Sequence, residues 1–206
     1  MKTSNLLLIF AILALMLSGC KSKPSPEEEA YIKKVEEIRA EKNKDMQTDP
    51  TSPFLYKGNV EFHNLKYFDV DPSFVFRSKL TEFNPKDTVT IYGTKGEPRK
   101  SVRWGYVVIN YKGQDYKINV YETTAKNGTV YYSIWFTDKT TNKESYGVGR
   151  YLDFEKQDDP SYVYTIDFNL AYNPYCAYSP NYSCAIPTKE DYIPIAITAG
   201  EKKFHD

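Results

Sequence analysis

The sequence predicts a mainly β protein, a single antiparallel barrel-like or sandwich domain with an N-terminal α-helix. Three observations carry this expectation. Tyr (19) and Phe (11) are plentiful, and aromatic side chains suit pleated, half-buried surfaces. Short runs of β-branched and aromatic residues recur from Phe74 onward with no helical-period segment between them. Turn signals built on glycine or asparagine separate these runs at hairpin spacing.

Residues 1–19 have the form of a signal peptide. Lys2 supplies positive charge, and Leu6 to Leu17 make an apolar run of roughly a dozen residues, too short to span a bilayer as a mature helix. The run ends in Leu17-Ser18-Gly19-Cys20, which resembles the lipobox of bacterial lipoproteins. Cys20 is therefore the expected lipidation site, carrying acyl chains such as palmitate after cleavage before it. Two or three such chains, at ~0.8 kcal/mol per buried methylene, make a lasting anchor. The expected location is the bacterial cell envelope, tethered to a membrane and not spanning it. No aspartate follows Cys20, which favours the outer membrane and leaves the leaflet open.

Residues 20–25 form a lipid-anchored tether, and an amphipathic helix is expected over 26–44. Ser25 is placed as N-cap, Pro26 as first helical residue and Glu28 as the capping-box partner. Tyr31, Ile32, Val35 and Ile38 recur at helical spacing, and Lys42 and Lys44 lie toward the negative end of the dipole. The stripe is narrow, so the helix should lie along one edge of the domain.

Residues 50–206 should form one β-rich domain. Asp49-Pro50, Ser52-Pro53 and Asp71-Pro72 exclude helix at its start. Expected strands are Phe74–Phe83, Thr88–Tyr92, Val102–Tyr111, Tyr116–Thr123, Val130–Thr137, Tyr151–Phe154, Tyr162–Leu170 and Ile193–Ala199. Thr94-Lys95-Gly96, Lys112-Gly113-Gln114 and Lys126-Asn127-Gly128 are the hairpin signals. Lys+Arg 27 against Asp+Glu 27 gives a formal net charge of +0, which disfavours a nucleic-acid partner.

The carboxyl-terminal blocks FTDKTTNKESYGVGRYLDF and IDFNLAYNPYCAYSPNYSCAIPTKEDYIPIAITAGEKKF, with the earlier LKYFDVDPSFVF, resemble the domain of unknown function 1684 family of bacteria and archaea. The resemblance is most specific from Asp167 through Tyr178, at Cys184, and at Ala199 to Lys202. Ala185 and Asp191 stand where the family usually has proline and asparagine. The resemblance implies no activity.

Cys176 and Cys184 are candidates for a disulfide in an oxidising compartment, contributing about 2–3 kcal/mol on the chain-entropy estimate. Buried free thiols are the competing reading, because family members without export signals resemble this chain at both positions. Metal ligation and nucleophilic catalysis lack partners: only His63 and His205 supply imidazole. No metal or cofactor is called for, and no catalytic set is recognisable. Gly147-Val148-Gly149-Arg150 lacks the third glycine and the helix of a phosphate loop, so its glycines suit a tight turn or bulge.

Arg150, Asp167, Asn169, Tyr172, Asn173, Glu201 and Lys202 bring polar groups into segments apolar enough to be core. They either satisfy one another, with an Arg150–Asp167 bridge at the centre, or line a pocket. In a pocket, Arg150 or Lys202 would meet an anionic group while Tyr172, Tyr175 and Tyr178 pack its apolar part. The functional expectation is a lipid-anchored binding or interaction module with a small-molecule or protein ligand in the envelope. The alternative is a hydrolase-like envelope enzyme using Asp167 and Glu201 with Arg150.

Overall fold

The computed structural model describes residues 23–56, 60–125 and 127–205. The leader and the lipidation candidate Cys20 lie outside the described residues. The chain divides into two units, Met1–Ala30 and Tyr31–Asp206.

Helix α1 spans Pro26–Thr48. Its start follows the expected capping box: the Glu28 amide donates to Ser25 Oγ at 3.2 Å and the Ser25 amide to Glu28 Oε2 at 2.7 Å. It ends four residues later than expected, so no basic residue lies in its last turn. The buried positions also differ from the predicted stripe. Ile38 is exposed, and the inward line is Tyr31, Val35, Arg39, Asn43 and Met46. Three of those five are polar, and each hydrogen-bonds to the β-rich body, Tyr31 and Arg39 as donors and Asn43 as an acceptor. Tyr31 reaches Asp167 at 2.9 Å, Arg39 the carbonyls of Phe68 (2.8 Å) and Asn169 (3.1 Å). Asn43 accepts from the Leu65 amide at 2.8 Å.

Eight strands follow: β1 (Val75–Lys79), β2 (Thr81–Tyr92), β3 (Pro98–Tyr111), β4 (Gln114–Thr124), β5 (Val130–Asp138), β6 (Arg150–Asp153), β7 (Val163–Asp167) and β8 (Tyr192–Ile193). Strands β2 to β6 run in order through one curled, half-barrel sheet, with every neighbour antiparallel. The signals at Thr94-Lys95-Gly96 and Lys112-Gly113-Gln114 sit at turns, and Asn127 and Gly128 of the third lie between β4 and β5, with Lys126 outside the described residues. Lys112 (φ 52) and Gly113 (φ 82) join β3 to β4 as a two-residue loop between the paired Tyr111 and Gln114, the backbone that matches strand twist.

Three expected strands are corrected. The run Phe74–Phe83 breaks at Leu80, because β1 leaves to pair with β7 while β2 opens the larger sheet and absorbs Thr88–Tyr92. The run Tyr162–Leu170 stops at Asp167, whose side chain accepts from the Asn169 amide at 2.9 Å and starts a short 3₁₀ turn. Of Ile193–Ala199, only Ile193 is strand, in a β8 that lies parallel to β5. Burial still alternates along that segment, at Ile193, Ile195, Ile197 and Ala199. His63, outside any strand, stacks on Phe204 at 3.8 Å between ring centroids.

The main core lies inside the curl. Val107, Ile109, Ile118, Val120, Ile134 and Phe136 face Phe76 and Ile166 of the β1–β7 ribbon and the C-terminal Ile195 and Ile197. Ser78 joins ribbon to sheet by accepting from the Val108 amide at 2.9 Å. A second cluster gathers Met46, Phe54, Leu65, Tyr178 and Phe204, and a third holds Ile91, Tyr121, Trp135 and Ala185.

Candidate functional site

Gly149 (φ +116) turns the chain into β6 and places Arg150 in the interior, 1% exposed. Its Nη2 donates to Asp138 Oδ2 and to the Ile197 carbonyl, both at 2.8 Å. Its Nη1 donates to the carbonyls of Ala199 and, at 3.3 Å, Glu201. These three carbonyls alternate along one edge of the extended C-terminal segment, so the guanidinium stands where a neighbouring strand would supply amides. The expected Arg150–Asp167 bridge is not formed. The arginine's counter-charge is Asp138, at the end of β5, which also accepts from the Thr140 amide at 2.6 Å. Burial lowers the affinity of the guanidinium for its proton, and Asp138 opposes that.

Asp167 lies half-buried at the end of β7, where both oxygens accept from Tyr31 Oη at 2.9 Å. Burial first and Asp167 second hold the Tyr31 hydroxyl protonated well above its ordinary range. Asn169, 1% exposed, accepts from the Asp71 amide at 2.8 Å and donates to the Asp71 carbonyl at 2.8 Å. One side-chain amide thus reproduces a strand-like bridge to residue 71.

Glu201 forms a separate cluster. Its carboxylate, 1% exposed, accepts from the Tyr178 hydroxyl and from the Asn173 amide at 2.9 Å, and pairs with Lys42 Nζ at 2.7 Å. Asn173 closes the loop by donating to the Lys202 carbonyl at 2.8 Å. Gly200 (φ +77) permits this turn: a Cβ there would meet the Ala171 carbonyl at 2.6 Å. Lys202 lays its ammonium over the Phe68 ring at 5.0 Å. Tyr178 is buried on Glu201, whereas Tyr172 and Tyr175 line a groove.

Those two tyrosines belong to a groove of about 1350 Å³ between the ends of β3–β6 and the loop 172–185. Tyr131, Tyr132, Trp135 and Tyr151 continue its wall. Trp135 lies 5.9 Å from Tyr151, and Tyr151 lies 6.1 Å from Tyr172, ring to ring. Tyr151 is anchored to the Ala185 carbonyl and Tyr172 to Asp153 at 2.6 Å, while Tyr131 and Tyr175 are 53% and 40% exposed. Ser101, Thr123, Ser133 and Ser183 add hydroxyls. At one end Ser183 donates to Glu97 at 2.9 Å; Ser183 and Arg99 together hold the Glu97 carboxyl down to about 2. Asp167 and Tyr172 also line a second cavity with Asp153, about 160 Å³, well below the roughly 300–1,000 Å³ of ordinary ligand pockets.

Sequence reasoning missed Asp138, Lys42, Trp135 and Tyr131. Lys42 and Arg39 carried a usable signal, since they share the helical face of Tyr31 and Val35. Asp138 carried none, because nothing local ties it to Arg150.

A model of the family described as "Protein of unknown function (DUF1684)" matches residues 60–202. That span contains all seven polar candidates, both cysteines and the groove. The chain is similar to an uncharacterized protein of Haloarcula marismortui with a solution NMR structure. The two share 27% sequence identity and a TM-score of 0.63, over 87% of this chain and 98% of that one. No curated protein matches the chain.

Proposed function

We propose that this chain, which belongs to the DUF1684 family of proteins of unknown function, is a ligand-binding module of the bacterial cell envelope. It is held on a membrane by acyl chains at Cys20 and takes its ligand in the aromatic groove. One observation carries the binding reading. Arg150, Asn169, Asn173 and Glu201 direct their hydrogen bonds at the protein's own backbone and side chains, which leaves the groove as a large surface open to a ligand. Its volume exceeds the roughly 300–1,000 Å³ that holds one compact small molecule, so an extended ligand fits better. Flat aromatic faces interleaved with hydroxyls suit a glycan, whose sugar rings present apolar faces and polar edges.

The envelope part rests on Lys2, the apolar run 6–17 and Leu17-Ser18-Gly19-Cys20, with the outer membrane favoured. Among the described residues no helix is long and apolar enough to cross a membrane. The hydrolase reading has less support, because Asp167 bonds Tyr31 and Asn169 while Glu201 bonds Lys42, Tyr178 and Asn173. The two carboxylates serve different clusters.

Titration of the full chain in detergent with a tetrasaccharide of β-1,4-linked N-acetylglucosamine tests the groove. Tryptophan fluorescence should saturate, and Tyr131→Ala and Tyr175→Ala should each weaken binding about tenfold, the worth of one stacking contact of ~1.4 kcal/mol. No saturable signal, or wild-type affinity in both variants, removes the glycan assignment. Mass spectrometry of the mature amino terminus tests the anchor independently: an unmodified Cys20, or an intact leader, ends the envelope reading.

A further inference from the structure

Cys176 and Cys184 are free thiols, half-buried, and they face each other: the Cys176 amide donates to Cys184 Sγ at 3.2 Å. Each sits on a separately braced arm. Cys184 is strapped to the β2–β3 hairpin, where its amide donates to Thr94 Oγ1 at 3.2 Å and its carbonyl accepts from the Thr94 amide at 2.9 Å. The Ile186 amide extends the strap to the Tyr92 carbonyl at 2.9 Å. Cys176 is braced by Tyr146, whose hydroxyl reaches the Cys176 carbonyl at 3.3 Å and its sulfur at 3.7 Å. Cys184 lines the groove, and Cys176 beside it is partly exposed.

We infer that Cys176 and Cys184 form a dithiol that exchanges with small disulfides, Cys176 as the attacking sulfur and Cys184 as the resolving one. In the first step the Cys176 thiolate bonds to one sulfur of the small disulfide, whose S–S bond breaks and releases a thiolate. In the second step Cys184 gives up its proton and attacks Cys176 Sγ, closing the internal disulfide and releasing the second thiolate. Two protein thiols are oxidised, and one small disulfide is reduced to two thiols.

The neighbours assign the order of attack. The Cys184 thiol, with Tyr146 and Thr94, holds the Cys176 thiol down to about 6 against its burial, below the ~8.5 of a free cysteine. The same sulfur–sulfur contact, and then burial, push Cys184 up. Once Cys176 is consumed in the mixed disulfide, that contact no longer favours the protonated Cys184, and the resolving step opens. This inference is independent of any ligand in the groove.

The test exposes the reduced full chain, in detergent at pH 7, to glutathione disulfide, followed by alkylation and peptide mass analysis. One glutathione disulfide should be consumed per chain, two glutathione molecules should be released, and a Cys176–Cys184 bridge should form. Cys184→Ser should stop at a glutathione adduct on Cys176, and Cys176→Ser should yield no bridge. In the reduced wild type, Cys176 should alkylate about tenfold faster than Cys184, with a pH midpoint near 6 rather than ~8.5. Tyr146→Phe should raise that midpoint and retain the bridge. Equal labelling of the two cysteines, adducts on both without a bridge, or a bridge that glutathione cannot reopen would each overturn the inference.

Discussion

The hairpin region β2–β5 and the C-terminal region from Phe168 to Phe204 solve the same problem in different ways. In the hairpins, backbone amides and carbonyls pair with each other along four long strands. In the C-terminal region, ladders are short, and side chains take the place of the missing strand. Arg150 serves three carbonyls, Asn169 bridges residue 71, and Asn173 closes onto Lys202. A backbone ladder survives most substitutions because every residue carries the same groups. A side-chain substitute exists at one position only. Arg150, Asn169 and Asn173 are therefore structural partners of an irregular backbone.

That contrast can be broken most directly at Arg150. Arg150→Met leaves Asp138 buried without its counter-charge and three carbonyls without donors, and should destabilise the protein by about 3–5 kcal/mol in urea denaturation. A loss below about 1 kcal/mol would mean that the C-terminal segment finds other donors. Asn169→Ala should cost about 1–3 kcal/mol, with faster hydrogen exchange at the Asp71 amide as its local signature. In the hairpin region, Gly113→Ala meets open space but keeps a positive φ, so about 1 kcal/mol is expected. If it cost as much as Arg150→Met, the two regions would not differ as described.

The smallest effect is expected at Glu97, which is held to about 2 by Ser183 and Arg99 but lies partly exposed to solvent. A depressed carboxyl contributes stability above its ordinary value near 4.3, and that contribution fades as pH falls toward 2. Glu97→Gln should therefore shift the urea midpoint slightly at pH 7 and progressively less as pH falls toward 2. An NMR titration placing Glu97 near 4.3 would show that the strap to Ser183 is open in solution.

Much of the first half of the chain was legible from short-range chemistry. The Ser25–Glu28 box, the Lys112–Gly113 turn and the strands β3 to β5 follow from spacing and from positive φ at glycine. The face that α1 turns inward was misread, because Tyr31, Arg39 and Asn43 dock by donating or accepting hydrogen bonds and a hydrophobic stripe does not register them. The polar candidates were recognised by type but not by partner. Arg150 meets Asp138 through the β5–β6 pairing and the return of the C-terminal segment, and Glu201 meets Lys42 across most of the chain. Tyr172 and Tyr175 were singled out as a ligand surface, while Trp135 and Tyr131 were not, since alternation along β5 does not say which face a groove will occupy.

By itself the sequence determined the mainly β class, the capped helix and the hairpin turns, because each depends on backbone preferences within a few neighbouring residues. Only the tertiary structure decided that Arg150 replaces a strand, that Glu201 and Asp167 part company, and that two cysteines meet beside an aromatic groove. Those outcomes depend on which distant groups share a dry interior, where an unpaired polar atom is costly, and no local pattern encodes that choice.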